Sequence, residues 1–234
     1  RFCQVTGVQT CALPIYAGVR GGMLIMSADD PSAHSSQNEQ DNRYYATLAL
    51  MPMVEPSDPQ EAKDFVREAY RVSEELGLPV LYRTTTRVNH ARADVVLGRV
   101  DDSTSPKGHF EKDDPTFVNI PAYAVNNRLR LLEKNRKALE LSEASALNRI
   151  EGDGDVGVIT SGVSYNYVRE CLFGVSILKL AFTNPVPERK IADFVRGKRA
   201  IIVVEELEPY LEDQVLRVID RKSTRLNSSH LAES

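Results

Sequence analysis

Cysteine is scarce in this chain. Of its three cysteines, Cys3 and Cys11 lie near the start and Cys171 stands alone in the interior. A lone interior thiol closes no internal disulfide, which suits a reducing cytoplasm. It also holds no iron–sulfur cluster, which takes about four thiolates. A basic excess is missing too: 29 Lys and Arg face 33 Asp and Glu, for a net charge of −4. That leaves no electrostatic footprint for nucleic acid. No apolar run approaches the ~18–20 residues of a membrane span, and no signal-peptide core is visible. What remains is 42% hydrophobic and 26% charged over 234 residues, the balance of a globular protein of one or two domains.

The stretch Ala28–Ala46, ADDPSAHSSQNEQDNRYYA, carries the most information. It follows a short apolar run, Met23–Met26, that reads as a buried strand. It is rich in amide, hydroxyl and acidic side chains and almost free of aliphatic ones. An ordinary strand-to-helix connection has about 2–6 residues. A longer polar one beyond the carboxyl end of a strand occupies the place where open α/β sheets bind ligands. The alternative is a solvated surface loop.

Strands and helices alternate through the rest. Asn42–Ala49 reads as a short helix and Met51–Glu55 as a second strand. Asp58, Pro59 and Glu61 make a helix start of the Asp-x-x-Glu kind. Ala62, Phe65, Val66, Ala69 and Leu76 then follow a helical period, and Gly77 supplies a left-handed stop before Pro79. Pro79–Thr86 reads as a strand, completing a βαβ unit and implying a mainly parallel sheet. Gly98–Pro121 has charge, Pro and Gly without period and reads as a connection. Tyr123–Arg149 reads as a long amphipathic helix with a solvated charged face. A second α/β unit follows: strands at Val156–Ser161, Ser176–Phe182 and Arg199–Glu205, with helices at Tyr165–Cys171, Pro187–Arg196 and Pro209–Ile219. The first fifteen residues, RFCQVTGVQTCALPI, and the last stretch, DRKSTRLNSSHLAES, have no period. Both resemble translated adaptor sequence and are set aside from fold reasoning.

The string HSSQNEQD…RYYA resembles the thiamine-diphosphate-dependent 2-oxoacid:ferredoxin oxidoreductases, in particular their indolepyruvate branch. The similarity runs on through MPMVEPSDPQEAKDFVREAYRVSEELGLPVLYRTTTRVNHAR, GVITSGVSYNYV and LKLAFTNPVPERKIADFVRGKRAIIVVEELEPYLEDQV. It covers most of residues 16–219. The resemblance implies an α/β fold in two parts. A partial thiamine pyrimidine-type parallel-sheet domain is expected over 16–100. A linker and long helix over 101–150 then lead to a transketolase C-terminal-like domain over 151–219. Residues 1–15 and 220–234 are the adaptor-like ends.

The same resemblance implies oxidative decarboxylation of an aryl 2-oxoacid such as indolepyruvate, with coenzyme A and with ferredoxin as electron acceptor. Pyruvate or 2-oxoglutarate as substrate, or a non-catalytic assembly module, are the alternatives. A mononucleotide site at Gly157–Ser164 is a further one, weakened by the missing G-x-G-x-x-G and P-loop lysine. Thiamine diphosphate is the implied cofactor, with Mg2+ and 4Fe-4S clusters held by domains outside this piece. The implied partners are a beta subunit, ferredoxin, and a second copy in a dimeric assembly. Neither nucleic acid nor a membrane is expected as a partner.

His34, Ser35, Ser36, Gln37 and Asn38 supply the neutral donors and acceptors that such a pocket needs. By resemblance, they border thiamine or the 2-oxoacid; His34 is equally a turn or cap histidine. Arg83 and Arg87 lie around the end of a strand and suit a carboxylate. Salt bridges are the competing role for both, as for Arg43 and Arg92, and His90 shares the uncertainty. Asp29-Asp30-Pro31 reads as a turn opener with Asp29 capping backbone amides, in preference to a metal site. Glu205 and Glu206 end a strand and read as caps. The family's cofactor-activating glutamate is expected upstream of this piece, so neither Glu39 nor Glu55 is given that role.

Overall fold

The structure is a computed structural model that describes residues 14–34, 36–98 and 112–230, with side chains described as far as Arg221. Two four-stranded sheets carry the fold. In chain order the elements are β1 (Leu24–Asp29), α1 (Arg43–Ala49), β2 (Met53–Val54), α2 (Pro59–Leu76) and β3 (Val80–Thr85). Next come α3 (Thr86–Asn89), α4 (Asp114–Phe117), α5 (Pro121–Ala144), β4 (Arg149–Glu151), β5 (Val156–Ser161) and α6 (Ser164–Cys171). The last are β6 (Ser176–Leu180), β7 (Phe182–Asn184), α7 (Glu188–Val195), β8 (Ala200–Val204) and α8 (Tyr210–His230).

The first sheet has the order β1-β3-β2-β7. β1 and β2 each run parallel to β3, with Leu24 opposite Val80 and Met53 opposite Leu81. The helix joining β2 to β3 is the crossover that parallel strands require. Its start is capped as the sequence suggests: Asp58 accepts from the Glu61 amide at 2.8 Å, with Pro59 at the first position. The Glu61 carboxylate accepts from Ser57 N at 2.9 Å. Gly77 ends α2 at φ +59°, a conformation open to glycine without steric penalty. Phe65, Ala69, Val72 and Leu76 face inward against Val54, Val80 and Tyr82.

The second sheet has the order β4-β6-β5-β8, with β5 parallel to both β6 and β8 and β4 antiparallel to β6. Ile159, Leu178, Leu180, Ile191, Phe194, Leu211 and Val215 form the core on one of its faces. Val158, Tyr165, Val168 and Ile177 fill the other. Among the described residues no helix is long and apolar enough to cross a membrane.

Three local expectations change. The long helix stops at Ala144, and residues 149–151 form an edge strand on β6. The three-residue strand has no period of its own and exists through pairing alone. The last helix continues past Ile219 to His230. The apolar run Ser176–Phe182 is divided: β6 belongs to the second sheet, while β7 pairs antiparallel with β2 in the first. Asn148 makes the division possible. Its side-chain oxygen accepts from the amides of Ala181 and Phe182, both at 2.9 Å, where the chain leaves one sheet for the other. Its Nδ2 donates to Ser142 O at 3.0 Å.

Asn148 is buried, so removing its oxygen strands two backbone donors. Asn148→Ala is expected to cost about 3 kcal/mol in urea unfolding. A loss below about 0.5 kcal/mol for the alanine variant counts against this role.

Candidate functional site

The polar connection leaves the carboxyl end of β1, an edge strand. It opens through three consecutive left-handed residues, Ser32, Ala33 and His34, at φ 64°, 57° and 42°. None is glycine, and a non-glycine residue held there costs on the order of 1–3 kcal/mol. Backbone bonds brace the turn: Ala33 N to Asp30 O at 3.0 Å, Ser36 N to Ala33 O at 2.7 Å. The Ser32 amide donates to the Glu39 carboxylate. Strain kept in a surface connection points to function there.

Beneath the connection lies a layer of polar side chains. Register places Ser27 opposite Arg83 and Asp29 opposite Thr85, so these four share one face of the first sheet at its carboxyl end. Glu55, just past β2, joins them. Asp29 accepts from Arg83 Nε at 2.6 Å and from the Asn42 amide at 2.9 Å. Arg83 also donates through Nη1 to Glu55. Burial pulls the Arg83 guanidinium down, but Glu55 and Asp29 outweigh it and hold its pKa above the ordinary value. Glu55 Oε2, Arg83 Nη2 and Thr85 Oγ1 are buried and have no hydrogen-bond partner.

Arg43, the first residue of α1, completes the layer from above and is 1% exposed. Its Nε donates to both Asp41 oxygens at 2.8 and 3.1 Å. Its Nη1 reaches Glu205 at 2.5 Å, and its Nη2 reaches Glu206 O at 2.7 Å and Glu208 O at 3.0 Å. The guanidinium lies 5.0 Å over the Tyr210 ring. Glu205 also accepts from the amides of Leu211 and Glu212 at the start of α8, the capping role its position suggests. Burial raises the Glu205 carboxyl above its ordinary range in spite of these donors.

The expected site residues divide into three groups. His34, Gln37 and Asn38 are exposed and Ser36 is half-buried; Ser35 lies outside the described residues. Arg83 is taken up by its two carboxylates and serves as an internal ion pair. Arg87, in α3, stays 46% exposed while touching the second unit: Glu206 at 3.3 Å and the Tyr167 hydroxyl at 3.3 Å. His90 and Arg92 are exposed. Asp29 caps the Asn42 amide, as a turn opener does. Among the described residues no group of three or more His, Cys, Asp or Glu is disposed to hold a metal. The convergence of Asp41, Arg43 and Glu205 went unseen, because 162 residues separate Arg43 from Glu205.

No protein-family model matches the chain. Curated relatives do. It is 46% identical over 211 residues to indolepyruvate oxidoreductase subunit IorA of Methanothermobacter marburgensis, covering 87% of this chain and 34% of the relative. The same-named subunit of Archaeoglobus fulgidus is 43% identical over 215 residues, 88% of this chain and 34% of the relative. This chain is a relative of the IorA subunits. It spans about a third of their length. Among solved structures, a 2-oxoglutarate:ferredoxin oxidoreductase from Magnetococcus marinus aligns with a TM-score of 0.62 at 13% identity. The alignment covers 89% of this chain and 45% of that one, and supports the α/β fold.

A second buried cluster joins the two units through Lys179 and Glu61. Lys179 of β6 is fully buried. It donates to Ser57 Oγ at 2.8 Å and to Glu61, and sits 4.3 Å over the Tyr165 ring. Arg149 adds a 3.1 Å contact to Glu61. Burial lowers the Lys179 ammonium to about 8 against the pull of Glu61. Burial raises Glu61, but Lys179 and Ser57 overcome it and hold it below the carboxylate range.

A lysine whose pKa is depressed by folding favours the native state only once it is neutral. Its contribution is therefore absent below about pH 8 and grows as pH rises toward the unfolded value of 10.5. Between pH 8 and 10 the unfolding free energy should gain about 1.4 kcal/mol per pH unit from this group. Urea melts of Lys179→Met should lack that increment; equal slopes in both proteins would refute it.

Proposed function

We propose that this chain is part of the alpha subunit of a thiamine-diphosphate-dependent oxidoreductase that decarboxylates aryl 2-oxoacids, indolepyruvate above all. Coenzyme A accepts the acyl group and ferredoxin the electrons. The supporting observation is the 46% identity across 211 residues to an IorA subunit. Such a protein works in the cytoplasm with a beta subunit and in a dimeric assembly. Its Mg2+ and 4Fe-4S clusters sit in domains beyond these residues.

The donor set fits one end of the cofactor. His34, Ser36, Gln37 and Asn38 offer imidazole, hydroxyl and amide groups, which suit a neutral heterocycle edge or a 2-oxoacid carbonyl. They include no carboxylate, the usual protein ligand of a diphosphate-bound Mg2+. Thiamine diphosphate supplies the carbanion chemistry of the decarboxylation. This chain would orient the substrate: the strained turn presents the polar side chains at the carboxyl end of β1. The half-exposed Arg87 offers a guanidinium to the substrate carboxylate.

The test uses the full-length protein from this reading frame, assembled with its beta subunit and assayed by dye or ferredoxin reduction. Indolepyruvate should turn over with a higher kcat/KM than pyruvate, and Arg87→Gln should raise the KM for the 2-oxoacid by roughly tenfold, the loss of one charge-assisted contact. The 234-residue chain alone should show no turnover. Equal rates on pyruvate would overturn the aryl assignment, and an unchanged KM in the Arg87 variant would remove that residue from the site.

A further inference from the structure

We propose that Arg43 is a positioning residue through which the second α/β unit sets the shape of the polar connection. The inference builds on the reading of that connection as the site, yet its geometry stands apart from any ligand.

The base of the connection is closed by few bonds. The Asn42 amide donates to Asp29 at 2.9 Å, and Asn42 Nδ2 donates to Ser27 Oγ at 2.9 Å. On the loop side, Asp41 accepts from the Arg43 fork and from the Arg43 backbone amide at 3.1 Å, and its contact with Arg83 is at 4.0 Å. The remaining faces of the guanidinium are all turned to the second unit. Glu205, the carbonyls of Glu206 and Glu208, and the ring of Tyr210 receive them. Arg43 is thus the point where the end of the connection and the β8–α8 turn share one rigid planar group. Lysine cannot reproduce this, since an ammonium has no fork to grip Asp41 while reaching Glu205. Glu205 divides its oxygens between Arg43 and the amides of Leu211 and Glu212. A shift at the start of α8 therefore reaches Arg43, then Asp41, then Asn42.

The consequence is that residues in the second unit control the site without touching a ligand. A role for Glu205 confined to capping α8 predicts no such reach.

Amide hydrogen exchange of the 234-residue chain, without ligand, distinguishes the two. Leu211 reports the cap and Asn42 reports the base of the connection. Arg43→Lys should speed exchange at Asn42 by about tenfold, and Glu205→Gln should speed it at both Asn42 and Leu211. Val72→Ala, in the core behind α2, controls for general loss of stability and should not single out Asn42. Faster exchange at Leu211 with Asn42 unchanged in Glu205→Gln would overturn the proposal. So would an Asn42 response no larger than that of Val72→Ala. Neither outcome bears on the substrate assay, so the two ideas fail separately.

Discussion

A guanidinium sealed between two sheets has to be matched on every side, and Arg43 is. Stripping water from an ion in a protein interior costs several kcal/mol, and only close, well-aligned partners offset it. Here the partners come from the loop end, from the strand end of the second sheet, and from the backbone that follows it. With one partner gone, the remaining charges would be left buried and uncompensated. The seam between the sheets is therefore fixed in geometry by the arginine, while the apolar cores on either side supply the driving force.

The same constraint explains the crowding of carboxylates at the carboxyl end of the first sheet. Asp29, Asp41, Glu55 and Glu205 surround the two guanidiniums of Arg43 and Arg83. Acids outnumber bases in this layer, and burial raises Glu205 accordingly. Above it the connection turns through three strained residues into solvent. A buried charged floor thus lies beneath a strained polar rim. The cluster around Lys179 ties the two units at another point. Arg87, against Glu206 and Tyr167, adds a further tie between them.

Much of the fold was legible because it is local. The start and stop of α2 follow from Asp58, Pro59 and Gly77, whose effects reach only one turn. The runs at 80–85 and 200–204, rich in β-branched residues, form strands as their composition suggests. The family resemblance was legible for a similar reason, since a long polar string is improbable as filler. What misled was anything that depends on a distant partner. The run SILKLAF has no break in its hydrophobicity, so nothing in it announces that Ala181 is where the chain changes sheets. Asn148 decides that, from across the fold. β4 likewise exists only because β6 lies beside it.

The candidate site divides along the same line. Residue chemistry was enough to single out residues 34–38 as a polar connection at a strand end and Arg83 and Arg87 as basic groups beside it. Side-chain type and spacing along the chain determine those features. Packing decides the exposure of the two arginines: Arg83 falls on the inner face of its sheet between Asp29 and Glu55, while Arg87, one short turn later, emerges at the surface beside Glu206. The meeting of Arg43 with Glu205 was likewise a product of tertiary structure. Electrostatic partners are chosen by distance in space, and a separation of 162 positions along the chain carries no periodic signal that would reveal it.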